Sequence, residues 1–147
     1  MTKWHSPFIL ASLSERRETL FRESGLVTEK IPPIIDDSVF EIGTMKPQHW
    51  VQVLAVMKAQ DVLSRMQYSE GTVCGADTIC VVDDEIFGQP EHAEEAASML
   101  QLIANRKHDV YTGWCLLDKG GSHSCIHCDV VEVTIGELTE DEIQTYL

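Results

Sequence analysis

The segment Thr72–Val82 constrains the fold of this chain more strongly than any other part of its sequence. Its residues are nearly all small, apolar or β-branched, and such a run is typical of a strand that is buried on both faces of a sheet. Helical patterns precede and follow it along the chain. We therefore predict an α/β fold in which a mixed, twisted sheet is flanked by helices.

The remaining elements are predicted from local signals. Further strands are expected over residues 7–12, 107–118 and 123–135, and helices over 14–24, 47–66 and 93–104. The stretch 26–47 contains three prolines and is expected to be irregular or extended. Gly120 and Gly121 suit a tight turn between strands, and Thr139 with Glu142 forms a capping box that opens a last helix. A chain of 147 residues is expected to form one domain, residues 1–147.

The chain is acidic, and its charge is unevenly distributed. It has 24 Asp and Glu residues against 11 Lys and Arg residues. Residues 1–70 hold eight of the basic side chains, whereas residues 71–147 hold three. A nucleic-acid polymer or an anionic membrane would require a basic surface, so neither is expected as a partner. A small anionic substrate requires a local basic cluster, which is expected in the first half of the chain.

The lengths of the apolar runs and the number of cysteines indicate in which cellular compartment the protein is expected. The longest apolar run, Val53–Met57, is too short for a bilayer-spanning helix or an export signal, so we expect a cytoplasmic protein. The five cysteines are an odd number, which favours free thiols in a reducing compartment. The segment 123–128 contains a C-x-x-C pattern and two histidines, and zinc binding is one interpretation. In an extended strand Cys125 and Cys128 point to opposite faces, which favours a strand with incidental thiols.

Lys58 interrupts the apolar face of the second predicted helix. At 100° per residue it lies in the middle of the stripe formed by Val51, Leu54, Ala55, Val62 and Met66. A lysine in this position either extends past its apolar neighbours into solvent or reaches into an internal cleft. In the second case its ammonium group is a candidate for binding an anion.

A second candidate anion site lies at the start of the first predicted helix. Ser12 and Ser14 stand where unpaired backbone N–H groups and the helix dipole favour an anion. Arg16 and Arg17 follow in the first turn, and guanidinium groups bind two phosphate oxygens each. The alternative is that a serine caps the helix and the arginines pair with neighbouring glutamates.

Asp77 lies inside the strand that is predicted to be buried. An ionised carboxylate in such a place costs several kcal/mol unless it is paired, hydrogen-bonded or bound to a metal. It is therefore a candidate Mg²⁺ ligand or general base, and a structural aspartate bonded to a neighbouring loop is the alternative. Asp83 and Asp84, which close the strand, and Asp36 are further candidate carboxylates.

Six ordered motifs together resemble one known family, the Maf nucleoside triphosphate pyrophosphatases, which are the septum-formation-protein homologues. The motifs are Ile9-Leu-Ala-Ser-x-Ser-x-Arg-Arg17, Leu54-Ala-x-x-Lys-Ala59, Gly75-Ala-Asp-Thr78, Gly88-x-Pro90, Glu95-Ala-x-x-Met-Leu100 and His108-x-Val-x-Thr-Gly113. The resemblance covers the whole chain. It implies a two-lobed Maf/ITPase-like architecture with a central cleft, a divalent cation (Mg²⁺ or Mn²⁺), and hydrolysis of a nucleotide to its monophosphate and pyrophosphate. It also suggests a homodimer.

The resemblance further assigns roles by position. Asp77 would be the catalytic proton acceptor, and Lys58 would act with it in catalysis while helping Ser12, Arg16 and Arg17 to hold the triphosphate. Thr78 would contact the substrate. Arg16 and Thr78 match the family branch that acts on dTTP and UTP rather than the branch that prefers 7-methyl-GTP. The metal would be held by Asp77 and by Asp37, which replaces the family's usual glutamate.

Several positions depart from the family pattern. Glu15 replaces a proline, Asp84 a glycine, and Gln89 a basic residue that would contact phosphate. The chain also stops before the family's usual C-terminal segment, so we expect turnover to be weakened. The alternative hypothesis is a degenerate Maf homologue that binds a nucleotide or a partner without turnover.

Overall fold

The computed structural model describes residues 4–26, 28–36, 39–120 and 123–147, and the elements found there confirm the predicted mixed α/β class. In chain order they are β1 (Phe8–Ala11), α1 (Glu15–Glu23), β2 (Thr28–Lys30), α2 (Pro47–Arg65), β3 (Gly71–Val82), β4 (Glu85–Phe87), α3 (Ala93–Ile103), β5 (Lys107–Lys119), β6 (Ser124–Thr134) and α4 (Glu140–Tyr146). Within the described residues, six strands form one sheet and four helices flank it.

The sheet contains both parallel and antiparallel pairs. Its strand order is β2-β1-β3-β5-β6, and β4 pairs with β3 off this path. Strand β1 runs parallel to both β2 and β3, whereas β3 and β4 are antiparallel. Strands β5 and β6 are also antiparallel, because Asp118 N bonds to His123 O near one end and Ile135 N bonds to Arg106 O near the other. This arrangement places β3, which carries Asp77, in the interior of the sheet.

By internal contacts the chain divides into two compact units. The first comprises Met1–Asp77 and Thr112–Cys128. Its apolar core is formed by side chains from β1, α2, β3 and β5, namely Ile9, Ala11, Ala55, Ala59, Val62, Met66, Val73 and Cys115. Burying such side chains is the main favourable term in folding.

A buried polar network ties the start of the first unit to two of its strands. Asp118 Oδ2 lies 2.7 Å from His5 Nδ1, and Asp118 Oδ1 accepts hydrogen bonds from Thr72 Oγ1 (3.1 Å) and from the backbone N–H of His5 (3.3 Å). Burial by itself favours the neutral acid, yet the bonds from His5 and Thr72 outweigh it and lower the pKa of Asp118 below its usual value. The network therefore favours the ionised form of Asp118.

The second unit comprises Thr78–Tyr111 and Asp129–Leu147. Ile79, Val82 and Ile143 are among its buried apolar side chains. Helices α3 and α4 contact each other, and Gln101 donates a hydrogen bond to Glu140 across that contact (3.1 Å). The predicted capping box opens α4: Thr139 Oγ1 accepts from Glu142 N at 3.3 Å, and Glu142 Oε2 accepts from Thr139 N at 2.8 Å.

Two short strands, β2 and β4, were not predicted from the sequence. β4 returns along β3 through a two-residue turn at Asp83 and Asp84, with φ values of 48° and 69°. Positive φ at both positions is what a tight hairpin turn requires, but glycine is the usual signal for it and is lacking here. The predicted Gly120-Gly121 turn lies partly outside the described residues, since Gly121 is not among them. In the described parts of the chain, no helix is long and apolar enough to span a bilayer.

Candidate active site

Asp77 lies on β3 with most of its side chain covered, as the sequence predicts. Its side chain is 13 % exposed, which is enough for a ligand to reach it and too little for water to solvate it fully. Two residues earlier on the same strand, and therefore on the same face, is Gly75. Gly75 determines how closely a neighbouring helix can pack on this face of β3, and Asp77 places a carboxylate there.

Close packing of α2 on β3 is made possible by Gly75. A Cβ at this position would stand 2.1 Å from the backbone oxygen of Ala55 and 2.9 Å from Cβ of Ala59. Gly113 on β5 serves the same purpose, because a Cβ there would lie 2.4 Å from the carbonyl group of Val51. Only residues without a side chain allow the helix to lie this near the sheet.

This packing brings Lys58 to Asp77. Lys58 precedes Ala59 on α2, and its Nζ donates a hydrogen bond to Asp77 Oδ1 at 2.5 Å. The lysine side chain is 15 % exposed, so it does not extend into solvent. Of the two interpretations of Lys58 in the sequence, the inward one is therefore correct, and its partner in this structure is a carboxylate.

Arg17 joins the same cluster from α1. Its Nη1 donates to the carbonyl oxygen of Ala76 at 3.1 Å and approaches Ser12 Oγ at 3.4 Å. Burial lowers the pKa of Arg17 below its ordinary value, while the charge of Asp77 acts in the opposite direction. The guanidinium group is thus held against the residue that precedes Asp77, within the electrostatic influence of its carboxylate.

The two serines at the start of α1 have different roles. Ser14 is the N-cap: its side chain accepts from the N–H of Arg17 at 3.4 Å, which supports the capping alternative for this residue. Ser12 is 3 % exposed, and its Oγ accepts from the N–H of Ser14 at 3.1 Å. Because its oxygen also faces Arg17, the hydroxyl group of Ser12 is fixed within the cluster.

The structure therefore brings together Ser12, Arg17, Lys58 and Asp77 out of the predicted site residues. Arg16 is exposed in the first turn of α1, and Thr78 is exposed as the next residue along β3, where the second unit begins. Asp37, the predicted second metal ligand, lies outside the described residues.

Asp77 is the acidic side chain that the described part of this site offers to a divalent cation. Among the described residues no group of three or more His, Cys, Asp or Glu side chains is placed to hold a metal. Asp77 can supply a carboxylate oxygen. Mg²⁺ commonly binds through one or two carboxylates together with phosphate oxygens, and the carboxylate of Asp77 fits that mode of binding.

The other predicted carboxylates and thiols do not join the site. Asp83 and Asp84 lie in the exposed hairpin turn of the second unit, and Asp83 forms an ion pair with Arg106 at 2.8 Å. Cys125 and Cys128 lie on the extended strand β6, which agrees with the interpretation of this segment as a strand.

An open groove of about 410 Å³ also occurs in the first unit. It is lined by residues of β2 and of the segment after α2, namely Glu29, Ile31, Arg65, Met66, Gln67 and Tyr68. None of the predicted site residues lines it. Arg65 is already engaged with Asp61 at 3.0 Å, and Tyr68 donates to Glu29 at 2.5 Å. The candidate site is therefore the cluster around Asp77 and not this groove.

Comparison with known proteins identifies the family. The model of the Maf-like protein family matches residues 7–147. The dTTP/UTP pyrophosphatase of Ruminiclostridium cellulolyticum is 38 % identical over 140 residues, which cover 95 % of this chain and 70 % of the relative. The chain belongs to the Maf family. A second Maf-family relative, the dTTP/UTP pyrophosphatase of Bacillus cytotoxicus, is 37 % identical with the same coverage of both chains.

Solved structures with the same fold have a much lower sequence identity to this chain than these relatives do. The Ham1 protein of Staphylococcus aureus matches with a TM-score of 0.54 and 13 % identity, over 85 % of the Maf chain and 69 % of its own. A nucleoside-triphosphatase (dITP/XTP pyrophosphatase) of Mycobacterium abscessus matches with a TM-score of 0.51 and 14 % identity, over 86 % and 71 % of the two chains. At such identity the likeness shows a shared fold.

Sequence reasoning missed one contributor to the site, the carbonyl oxygen of Ala76. A backbone acceptor has no signal of its own in a sequence. The only indirect sign is that Gly75 and Ala76 are small and so leave the backbone of β3 open to approach.

Proposed function

We propose that this Maf-family chain hydrolyses dTTP, UTP and related pyrimidine nucleoside triphosphates to the monophosphate and pyrophosphate, using a divalent cation. The observation that carries the proposal is the Lys58–Asp77 pair at 2.5 Å. It places a carboxylate beside cationic side chains in a chain whose relatives are named dTTP/UTP pyrophosphatases. Phosphoryl transfer needs little more from a protein than positioning and charge stabilisation.

We assign the general base to Asp77. A general base must reach the proton that it removes, and the partly exposed carboxylate of Asp77 can accept one from a water molecule that attacks the α-phosphorus. The bond between that phosphorus and the bridging oxygen to the β-phosphate then breaks, and pyrophosphate leaves. Asp77 is the only acid among the four site residues that the structure brings together, which supports this role.

We propose that the cationic side chains of the site bind the triphosphate of the nucleotide. Lys58 and Arg17 lie beside Asp77, and exposed Arg16 in the first turn of α1 is available to a phosphate that approaches the helix N-terminus. Ser12 adds a hydroxyl group. Positive charge in this position stabilises the negative charge that moves onto the leaving oxygen.

The divalent cation would be held by Asp77, with Asp37 as a second proposed ligand. When bound, such a cation neutralises phosphate charge and polarises the phosphoryl group. Exposed Thr78 and Arg16 are the residues that we propose for substrate selection, since both match the dTTP/UTP branch of the family.

The direct test is an assay of pyrophosphate release from dTTP, UTP and 7-methyl-GTP with Mg²⁺ or Mn²⁺. We expect release from the two pyrimidine nucleotides. Asp77→Asn should abolish release while circular dichroism shows a folded protein. Asp84→Asn is the matched control, because this aspartate is exposed in the β3–β4 turn, where asparagine also tolerates positive φ. Full activity of Asp77→Asn would contradict the proposed role.

A second candidate function is nucleotide binding without turnover. It is favoured by Gln89, an exposed residue that replaces the family's basic phosphate contact. Equilibrium dialysis with labelled dTTP separates the two: binding with no release of pyrophosphate under any metal condition would establish the second candidate.

We also propose a cytoplasmic location and a homodimer. All five cysteines lie in the described residues and none forms a disulfide, which supports a reducing compartment. The homodimer rests on the family resemblance, and light scattering coupled to size-exclusion chromatography tests it.

A further inference from the structure

We infer that Lys58 keeps a divalent cation away from Asp77 until nucleotide phosphates are present, so that the cation and the nucleotide enter the site together. The inference rests on the proposed function and adds an order of binding to it. Lys58 would then control access of the cation to Asp77 in addition to binding the phosphates.

The ammonium group of Lys58 already occupies the carboxylate of Asp77. Nζ of Lys58 lies 2.5 Å from Oδ1 of Asp77, and the two side chains are 15 % and 13 % exposed. A cation that approaches Oδ1 competes with the ammonium group for the same oxygen and is repelled by its charge. Separating two opposite charges in such covered surroundings is costly, so a new anionic partner for the ammonium group favours opening of the pair.

The cationic groups around Asp77 favour the approach of an anion over that of a cation. Arg17 Nη1 donates a hydrogen bond to the carbonyl oxygen of Ala76 (3.1 Å), and its guanidinium group is within electrostatic reach of Asp77. One carboxylate therefore faces two cationic groups. A divalent cation that approaches alone is repelled by both, whereas a triphosphate is attracted by both.

The carboxylate of Asp77 by itself cannot fill the coordination sphere of a divalent cation. One or two carboxylates leave positions open in the octahedral oxygen coordination that Mg²⁺ and Mn²⁺ favour. Phosphates supply the missing oxygens. They also give the lysine a new anionic partner, and the flexible four-carbon stem of lysine allows its ammonium group to move there.

Mn²⁺ binding, measured by electron paramagnetic resonance, tests this order without relying on turnover. The proteins to compare are wild type, Lys58→Met and Lys46→Met, each with and without an α,β-methylene analogue of dTTP that cannot be cleaved. Lys46 is exposed, precedes α2 and makes no side-chain cap bond, so Lys46→Met removes the same charge from the same helix without touching Asp77.

We expect wild type and Lys46→Met to bind Mn²⁺ weakly alone and at least about tenfold more tightly with the analogue. Lys58→Met should bind Mn²⁺ about tenfold more tightly than wild type without any nucleotide, since the competing ammonium group is gone. Adding Asp77→Asn to Lys58→Met should remove that gain. If Lys58→Met does not fold, Lys58→Gln removes the charge with a polar side chain of similar reach.

The inference is overturned if wild type binds Mn²⁺ as tightly alone as with the analogue, or if neither Lys58 variant gains affinity in the absence of nucleotide. Failure of the analogue to bind wild type would instead contradict the proposed function. Even if the analogue does not bind, the Mn²⁺ affinities of wild type and the Lys58 variants without nucleotide still test the inference.

Discussion

The Cα of Gly75 faces the carbonyl oxygen of Ala55 so closely that a Cβ on Gly75 would stand 2.1 Å from that oxygen. No side chain fits between β3 and α2 at this point. The contact fixes the height of α2 above the sheet, and Lys58 reaches Asp77 because of it. A glycine without any chemistry of its own thus determines the geometry of the candidate active site.

Gly75→Ala should destabilise the protein and damage the site together. The added methyl group meets backbone rather than a movable side chain, so α2 must shift, and overpacking of this kind costs about 1–3 kcal/mol. Urea unfolding measures the loss, and pyrophosphate release should fall with it. Gly88→Ala is the control, because a Cβ there meets nothing within 4 Å. Equal effects of the two substitutions would show that the Gly75 contact is unimportant.

Arg17→Lys should lower kcat/KM although it preserves the charge. Lysine is shorter and lacks the planar guanidinium fork, so its ammonium group does not reach the position from which Arg17 Nη1 contacts Ala76 O and Ser12 Oγ. The loss of one hydrogen bond from a charged group corresponds to about a ten- to hundredfold decrease in kcat/KM. Steady-state kinetics on dTTP provides the measurement. Arg22→Lys, in the last turn of the same helix and exposed, should behave as wild type. An Arg17→Lys enzyme with unchanged kinetics would exclude a specific role for the guanidinium group.

Asp118 should contribute a pH-dependent part of the stability. Its pKa is lowered in the folded state, so the ionised carboxylate stabilises the fold above its unfolded pKa of about 3.9. This contribution is lost as the pH falls through the folded value. Asp118→Asn should therefore be less stable than wild type at neutral pH and lose less stability on acidification below about pH 4.

Urea unfolding at a series of pH values measures this difference. Glu23→Gln, which changes an exposed carboxylate in α1, should keep the wild-type slope. Parallel stability curves for Asp118→Asn and wild type would refute the role of the His5–Asp118 network.

Cys74 and Cys115 should be unreactive in the folded protein. Burial raises the pKa of Cys74 to about 12 and that of Cys115 to about 11, and the thiolate is the reactive form. Iodoacetamide at about pH 8 should leave both unmodified, while the half-buried Cys125 and Cys128 on β6 react faster. Peptide mass spectrometry gives the rates, and unfolding in guanidinium chloride should make all five cysteines react. Equal rates in the native state would contradict the burial of the first pair.

Most of the fold was predictable because its signals are local. Pro47 opens α2 as its position predicts, Ser14 caps α1, and the capping box of Thr139 opens α4. The small and apolar run after residue 71 predicts β3 in the same way. Such signals depend on backbone hydrogen bonding and side-chain periodicity over a few residues, and neither requires knowledge of distant parts of the chain.

The elements that were missed are held by distant partners. β2 has three residues and exists through its pairing with β1. β4 exists through its pairing with β3 after a turn of two aspartates. Strands this short have little preference of their own, because most of what stabilises a strand comes from its neighbours.

For the candidate site, the order of residues along the chain was sufficient to identify Lys58 and Asp77 as groups that need an explanation, since each is a charge within an apolar pattern. Whether each charge is solvated, structural or paired depends on how closely α2 approaches β3. That distance is set by the absence of a Cβ at Gly75 and Gly113, whose packing partners lie about 20 and 60 residues away along the chain. The sequence by itself therefore identifies the charged residues that need an explanation. Which of these charges pair with each other is decided by the packing of helices and strands that only the folded chain brings into contact.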